Sequence, residues 1–219
     1  FHLYQHRPGV PNSLSNDLVN AIYEDKEGAV WVGTMDGGLN RLDPEANTFF
    51  AFRNDPNDPY SLSSNEIHAV YEDRQGRLWV GTYGGGLNRF DRDSGRFFHY
   101  KHSKVRPASI SDDHVMALYE DSRGNFWVGT RYGGLNLMNR ETGEFKHFQY
   151  GSSDPDHLIG EFVRVIYEDS EGNLWIGTYN GISVMDPITQ QFHHHQHEPD
   201  NPNSLSSNRV LSIVETEDG

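Results

Sequence analysis

Apolar and polar residues alternate in short runs along the whole chain, and turn-forming residues separate the runs. Between residues 59 and 106 the runs are 67–72, 77–83, 87–90 and 96–102. A period of two is typical of β-strands whose two faces meet different surroundings. Asp73 and Gly76, between the first two runs, stand where a type I turn favours Asp and Gly. The pattern predicts four antiparallel strands joined by tight turns.

The same four runs recur every 48 residues. The tryptophans of the chain mark this period, at Trp31, Trp79, Trp127 and Trp175. Each lies in a similar pentapeptide, VWVGT, LWVGT, FWVGT or LWIGT. Units of four strands that repeat at this spacing, with no helical periodicity, predict an all-β fold of the β-propeller type. Each copy would be one blade, with its tryptophan buried against the next blade.

Four full blades are predicted, at about 11–58, 59–106, 107–154 and 155–201. Residues 1–10 align with an outer strand and residues 202–219 with a first strand, so a partial blade is predicted at each end. The fourth copy lacks one residue, because Gly181 stands where the other copies have a pair of glycines. Since exposed blade edges invite association, we expect a larger ring or one completed by another chain, with self-association possible.

Charge and composition exclude several functions. The chain has 32 acidic and 18 basic side chains and a net charge of -14, which argues against a nucleic-acid partner, because such partners require clustered Lys and Arg. The absence of cysteine excludes disulfides and thiol chemistry. No apolar run approaches the roughly 18 residues of a membrane-spanning helix. These properties leave the cellular compartment open.

Two groups of residues suggest chemistry but are interpreted as structural. A Glu-Asp pair follows the first strand of every copy, as in Glu72-Asp73, and could suggest the two carboxylates of glycoside hydrolysis. A catalytic pair is needed once, whereas a turn needs its Asp in every copy. The histidines at 193–195 and 197 could bind a transition metal, but they align with outer strands that carry exposed polar residues. We predict no catalytic residue, no metal and no cofactor.

A candidate ligand site is indicated where the copies differ although the scaffold repeats. The hairpin after each WVGT segment and the start of each first strand vary most, and in a propeller these loops emerge on one face around the central opening. The residue just before the first strand also varies, as Leu18, Glu66, His114, Phe162 and Arg209. Tyrosines could stack on sugar rings while charged groups orient the ligand; simple drift at exposed loop tips is the alternative. The predicted ligand-binding residues are Asp36, His68, Tyr83, Arg131, Tyr132, Arg164, Tyr179 and Asn180.

Residues 62–100, LSSNEIHAVYEDRQGRLWVGTYGGGLNRFDRDSGRFFHY, resemble the two-component regulator propeller repeat. All four copies match, and the fourth departs by its lost glycine and by Ser183 in place of Asn. The resemblance implies a seven-bladed propeller in the periplasm, within a membrane-anchored sensor that carries a histidine kinase. It also implies an oligosaccharide ligand, as many members regulate polysaccharide use.

The leading hypothesis is therefore a ligand-binding sensor module that recognises a carbohydrate or another small periplasmic ligand and relays the signal to a kinase outside this segment. One alternative is a propeller-based lyase or hydrolase, since a fold does not fix a function. Another is a structural or assembly fragment without a ligand of its own.

Overall fold

The computed structural model describes residues 2–151, 157–186 and 188–216. Within these residues all regular secondary structure is β, in four antiparallel sheets of four strands each. In every sheet each strand pairs with the next one along the chain. This arrangement confirms the predicted all-β fold of repeated four-stranded blades.

The four sheets follow one another along the sequence. The first contains β1 (Val19–Glu24), β2 (Val30–Thr34), β3 (Leu39–Asp43) and β4 (Thr48–Phe52). The second contains β5 (Ile67–Glu72), β6 (Leu78–Thr82), β7 (Gly86–Asp91) and β8 (Arg96–Tyr100). The third contains β9 (Val115–Glu120), β10 (Phe126–Thr130), β11 (Leu135–Asn139) and β12 (Glu144–Phe148). The fourth contains β13 (Val163–Glu168), β14 (Leu174–Thr178), β15 (Ile182–Met185) and β16 (Phe192–His195).

The partial blades predicted at 1–10 and 202–219 are not formed as strands in the described part of the chain. Residues 2–18 and 196–216 carry no strand. A strand requires a hydrogen-bonded neighbour, and no such ladder is completed here. The second segment still contacts the fourth sheet, since the backbone N–H of Val210 donates to the carbonyl of Thr178 at 2.9 Å. Residue 1 and residues 217–219 lie outside the described residues.

The chain forms two compact units. The first unit contains Phe1–Lys101 and Asp113–Val115, and the second contains His102–Asp112 and Met116–Gly219. The first unit therefore holds the first two sheets, and the second unit holds the other two apart from Val115. Each unit has its own hydrophobic core.

The core of the first unit lies between its two sheets. Trp31 is fully buried there, with its ring centroid 5.9 Å from that of Phe52 and 5.5 Å from that of Phe90 in the second sheet. Leu62 and Ile67 belong to the same cluster. The tryptophan thus lies between neighbouring blades, as predicted.

The core of the second unit has the same arrangement. Trp127 packs in a cluster with Leu158 and Val163, which belong to the fourth copy. A Cβ atom on Gly129 would lie 2.5 Å from Cγ1 of Val163, so β10 can approach β13 only because this residue has no side chain. The WVGT segment therefore uses its tryptophan to fill the core and its glycine to allow close packing.

Candidate functional site

The first hairpin of each copy is held by the Asp of the Glu-Asp pair. In the first copy, Oδ1 of Asp25 accepts hydrogen bonds from the amides of Glu27 (3.1 Å) and Ala29 (2.8 Å), and Oδ2 accepts one from the indole nitrogen of Trp31 (2.8 Å). The other three copies have the same indole bond, at 2.7–2.9 Å. Burial alone would raise the pKa of Asp25, but the hydrogen bonds from Trp31 and Ala29 hold it below its usual value.

In the second and fourth copies the Glu of the pair bonds to the preceding copy. Glu72 Oε2 accepts from the backbone N–H of Lys26 at 2.7 Å, and Glu168 accepts from the N–H and hydroxyl of Ser122 at 2.6 and 2.7 Å. Arg92 connects Asp25 to Glu72 at 3.0 and 3.1 Å. These carboxylates hold turns and neighbouring sheets together, which supports the structural interpretation.

The histidines of the fourth outer strand also contact the scaffold. His194 Nδ1 lies 3.2 Å from the hydroxyl of Ser183, and the ring of His195 stacks on Trp175 at 5.9 Å with an interplanar angle of 5°. Burial lowers the pKa of the His194 imidazole, and the neighbouring His193 and His195 lower it further. In the part of the chain that the structure describes, no three His, Cys, Asp or Glu side chains are grouped so that they could hold a metal ion.

The variable positions lie at one end of each sheet. The lead-in positions are the residues before the four first strands, together with the equivalent residue after the fourth sheet: Leu18, Glu66, His114, Phe162 and Arg209. We call the residues after the WVGT threonines the hairpin positions: Met35, Tyr83, Arg131 and Tyr179. The two sets are joined by the backbone, because the N–H of Met35 donates to the carbonyl of Leu18 and that of Tyr83 to Glu66, both at 2.9 Å.

A β-bulge shapes the same end of the first strand. The pairing with the second strand shifts between Val19 and Ala21, between Ile67 and Ala69, and between Val163 and Val165. The skipped residues are Asn20, His68 and Arg164. A bulge redirects the side chain it contains, so the variable residue can differ between copies without altering the strand pairing.

In the first unit these positions form a cluster of Glu66, His68, Tyr83 and His114, which we call the imidazole cluster. The ring of Tyr83 lies 4.3 Å from that of His114 at 74°, and 5.7 Å from that of His68. His68 Nε2 contacts Glu66 Oε1 at 3.0 Å. The structure thus brings two predicted site residues together with two that were not predicted. Asp36 is exposed at its hairpin, with no hydrogen bond or ion pair of its side chain among the described residues.

In the second unit the corresponding positions form a continuous series of stacked groups, which we call the arginine–aromatic ladder. The guanidinium of Arg131 lies 5.2 Å from the ring centroid of Tyr132 and 5.1 Å from that of Phe162. Phe162 lies 4.2 Å from Tyr179, and the guanidinium of Arg209 lies 4.6 Å from the Tyr179 ring. Arg131 Nε also donates to the Tyr132 hydroxyl at 2.7 Å. Three predicted site residues are therefore part of one surface, completed by Phe162 and Arg209.

The fourth copy differs from the third at this end. In the third copy Asp112 Oδ2 accepts from the backbone N–H of Tyr132 at 3.2 Å. Gly160 takes the place of Asp112, and a Cβ atom there would lie 2.7 Å from Thr178 Oγ1 and 3.1 Å from Asn180 Cβ. A side chain at position 160 would therefore collide with Thr178 and Asn180. Asn180 is held by its backbone, whose carbonyl accepts from Gln196 Nε2 at 2.9 Å.

No described residue belongs to a helix long and apolar enough to cross a membrane.

Arg164 has no ion pair or side-chain hydrogen bond with the described residues. Arg209 has none either, and its side chain stacks on Tyr179.

Comparison with solved structures identifies similar chains. The extracellular domain of BT3049, described as a hybrid two-component system of B. thetaiotaomicron, is 26% identical with a TM-score of 0.76, over 97% of this chain and 33% of that one. The corresponding domain of BT4673 from the same organism is 29% identical with a TM-score of 0.67, over 81% of this chain and 25% of that one. The chain thus spans a third or less of these relatives.

A more distant likeness concerns the fold alone. Virginiamycin B lyase from Staphylococcus aureus superposes with a TM-score of 0.59 at 12% identity, over 87% of this chain and 58% of that one. Comparison with curated proteins gave no match.

The model of one family matches the chain four times, at residues 13–36, 61–84, 109–132 and 157–180. Each match extends from the loop before a first strand to the hairpin after WVGT, so it contains the lead-in and hairpin positions of one copy. The matches recur at intervals of 48 residues, in step with the tryptophans. The chain thus contains four copies of the two component regulator propeller repeat.

Proposed function

We propose that this chain is the ligand-binding part of a sensor and recognises a carbohydrate or another small molecule on the periplasmic side of a bacterial membrane. The observation that carries this proposal is the arginine–aromatic ladder, which presents ring faces and guanidinium groups at the variable end of the sheets. Tyr132 is 53% exposed, and Phe162 and Tyr179 are half-buried. Exposed aromatic rings are hydrated unfavourably by water. A ligand that covered these rings would remove them from water and gain that free energy.

The chemistry of the ladder suits a saccharide. The apolar face of a sugar ring packs on an aromatic ring, and a few polar groups then fix the orientation of its hydroxyls. In the ladder Tyr132 and Tyr179 supply ring faces, and Arg131 and Arg209 supply hydrogen-bond donors. The imidazole cluster of the first unit offers a second set of polar groups around Tyr83.

Signal transfer is proposed from the similar structures. The two B. thetaiotaomicron chains are extracellular domains of proteins described as hybrid two-component systems. We infer that this segment likewise lies outside the cytoplasm and that ligand binding changes the activity of a histidine kinase carried elsewhere in a membrane-anchored protein. No catalytic role is proposed for the segment, since its repeated carboxylates bond to turns and neighbouring sheets.

Isothermal titration of the purified protein against a panel of neutral and charged oligosaccharides tests ligand recognition. We expect at least one to bind, and Tyr179→Ala to weaken that binding about tenfold through loss of ring stacking. Tyr60→Ala is the matched control, because Tyr60 also stacks under a guanidinium, that of Arg96, at 4.6 Å but belongs to the loop before β5 in the first unit. Absence of binding by the whole panel, or equal effects of the two variants, would contradict the proposal.

Relay to a kinase requires a separate measurement. The full-length protein in membrane vesicles should change its rate of phosphorylation from ATP when the ligand found by titration is added. The Tyr179→Ala protein should respond only at higher ligand concentration. A rate that is independent of ligand would contradict the relay but not the binding.

A further inference from the structure

We propose that the arginine–aromatic ladder, together with Arg164, selects saccharides that carry an anionic group, either a carboxylate or a sulfate ester. This inference rests on the proposed function, in which the segment binds a carbohydrate, and it adds the charge class of the ligand.

The first observation is a difference of charge between matched positions of the two units. In the first unit the lead-in and hairpin segments contain Asp36 and Glu66 and no Lys or Arg. In the second unit the corresponding segments contain Arg131 and Arg209 beside the acidic Asp112 and Glu161, and Arg164 occupies the bulge position of His68. The chain as a whole carries a net charge of -14. Arginines are therefore concentrated at the variable end of the sheets of the second unit, although the protein as a whole is acidic. The two units have the same strands and turns, so the fold itself does not require this difference.

The second observation is how the arginines of the chain are paired. Some scaffold arginines meet carboxylates: Arg92 contacts Asp25 and Glu72, and Arg140 contacts Glu120 at 2.6 Å. Arg164 and Arg209 have no carboxylate within ion-pair distance among the described residues. They share this property with Arg96, which stacks on Tyr60, and differ from Arg92 and Arg140 in having charge that no internal acid neutralises.

The third observation is the loss of a carboxylate between neighbouring copies. Asp112 stands beside the third hairpin and bonds to Tyr132, whereas Gly160 takes its place beside the fourth hairpin. The other acidic side chain of this loop, Glu161, is exposed. The fourth copy thus combines the removal of one negative group with the presence of Arg164 within it and Arg209 just after it.

The geometry suits a planar or tetrahedral anion. A guanidinium whose carbon lies 4.6 Å from a ring centroid, as Arg209 does over Tyr179, is supported on one face by the ring. Its N–H groups lie in the guanidinium plane and can donate in pairs to a carboxylate or a sulfate. A sugar ring on the tyrosine would then place its acidic substituent at the guanidinium edge.

The test compares charged and neutral sugars of equal length. Titration of the purified protein with trigalacturonate, with the neutral galactose trisaccharide of the same linkage and with that trisaccharide carrying sulfate esters separates carboxylate from sulfate. We expect one anionic probe to bind at least about tenfold more tightly than the neutral one, as a charge-assisted hydrogen bond implies. Its affinity should also fall as salt is raised.

Matched variants assign the effect to the ladder. Arg209→Gln should weaken binding of the anionic probe about tenfold more than it weakens any binding of the neutral one, whereas Arg96→Gln, which alters the corresponding pair with Tyr60, should change neither. Thermal unfolding should be the same for both variants, because both side chains lie at the surface.

The outcomes distinguish the two proposals. Equal binding of neutral and anionic sugars, with loss of binding in Tyr179→Ala, would overturn the anionic preference and leave the carbohydrate site. Unchanged binding of the anionic probe by Arg209→Gln would also overturn it. A lack of binding by every saccharide would overturn the proposed function itself.

Discussion

Glu72 accepts a hydrogen bond of 2.7 Å from the backbone N–H of Lys26, a residue 46 positions earlier in the preceding copy. The same carboxylate contacts Arg92, which also contacts Asp25. One buried glutamate therefore connects the turn of the first sheet to the second sheet, and Glu168 connects the third sheet to the fourth in the same way.

Glu72→Gln should lower the free energy of unfolding by about 1 to 3 kcal/mol. The change weakens hydrogen bonds to a charged acceptor and removes one of the negative charges that neutralise the Arg92 guanidinium. Urea unfolding followed by tryptophan fluorescence measures this. Glu45→Gln, at an exposed turn, is the control and should stay within about 0.5 kcal/mol of wild type. Equal effects of the two changes would refute the role given to Glu72.

Trp31→Ala should destabilise the protein by about 3 to 5 kcal/mol, because it empties a fully buried site between two sheets. Trp175→Ala should cost less, since Trp175 is only half-buried. Thermal unfolding of the two variants, measured side by side, checks the order. A larger loss for Trp175→Ala would contradict the packing described here.

Gly129→Ala should destabilise the protein by about 1 to 3 kcal/mol, since its new methyl group meets Val163 at 2.5 Å. The double variant Gly129→Ala/Val163→Ala provides the space that the methyl group needs. The cost of the glycine substitution should therefore be smaller in the Val163→Ala background than in wild type, as a double-mutant cycle of unfolding free energies would show. Strict additivity would mean that the two residues do not oppose each other.

Acid should destabilise the fold through the turn aspartates. In Asp25, Asp73 and Asp169 burial alone would raise the pKa, but hydrogen bonds led by those from Trp31, Trp79 and Trp175 hold each pKa below the usual 3.8. The unfolded chain therefore binds protons at a higher pH than the folded chain. The stabilisation is complete above the usual pKa and is lost as pH falls through the lower, folded values.

Asp73→Asn isolates one of these groups. Urea unfolding between pH 6 and pH 2 should show a shallower loss of stability below pH 4 in this variant than in wild type, together with lower stability at pH 6. Asp58→Asn, at an exposed turn, serves as control. An unchanged slope in Asp73→Asn would show that this carboxylate does not contribute to acid unfolding.

The strands were predictable because, in every copy, the turn-forming residues stand where the alternation of apolar and polar residues ends. The run 67–72 is β5, and the run 96–102 ends two residues later than β8. The segments predicted as partial blades carry no strand in their described residues, because sequence similarity reports a residue's preference but not the presence of a pairing partner.

The candidate site was only partly predictable. Residue variation indicated Tyr83, Arg131 and Tyr179, and each has aromatic or cationic neighbours in the structure. The partners His114, Phe162 and Arg209 were seen to vary but were not assigned to the site, because each contacts the hairpin of the copy before its own. Alignment of copies compares equivalent positions and does not show which different positions touch.

These contacts between successive copies have a consequence for how recognition can diverge. Arg131 and Phe162, like Tyr179 and Arg209, supply the two halves of one stacked pair from two copies. Recombination that exchanges a single repeat would thus replace one partner in the stacked pair with the copy before it and one partner in the stacked pair with the copy after it. The Asp, Trp and Gly that keep the sheets together would be preserved. New binding surfaces could arise in this protein by reshuffling intact repeats, without any change in the residues that fold them.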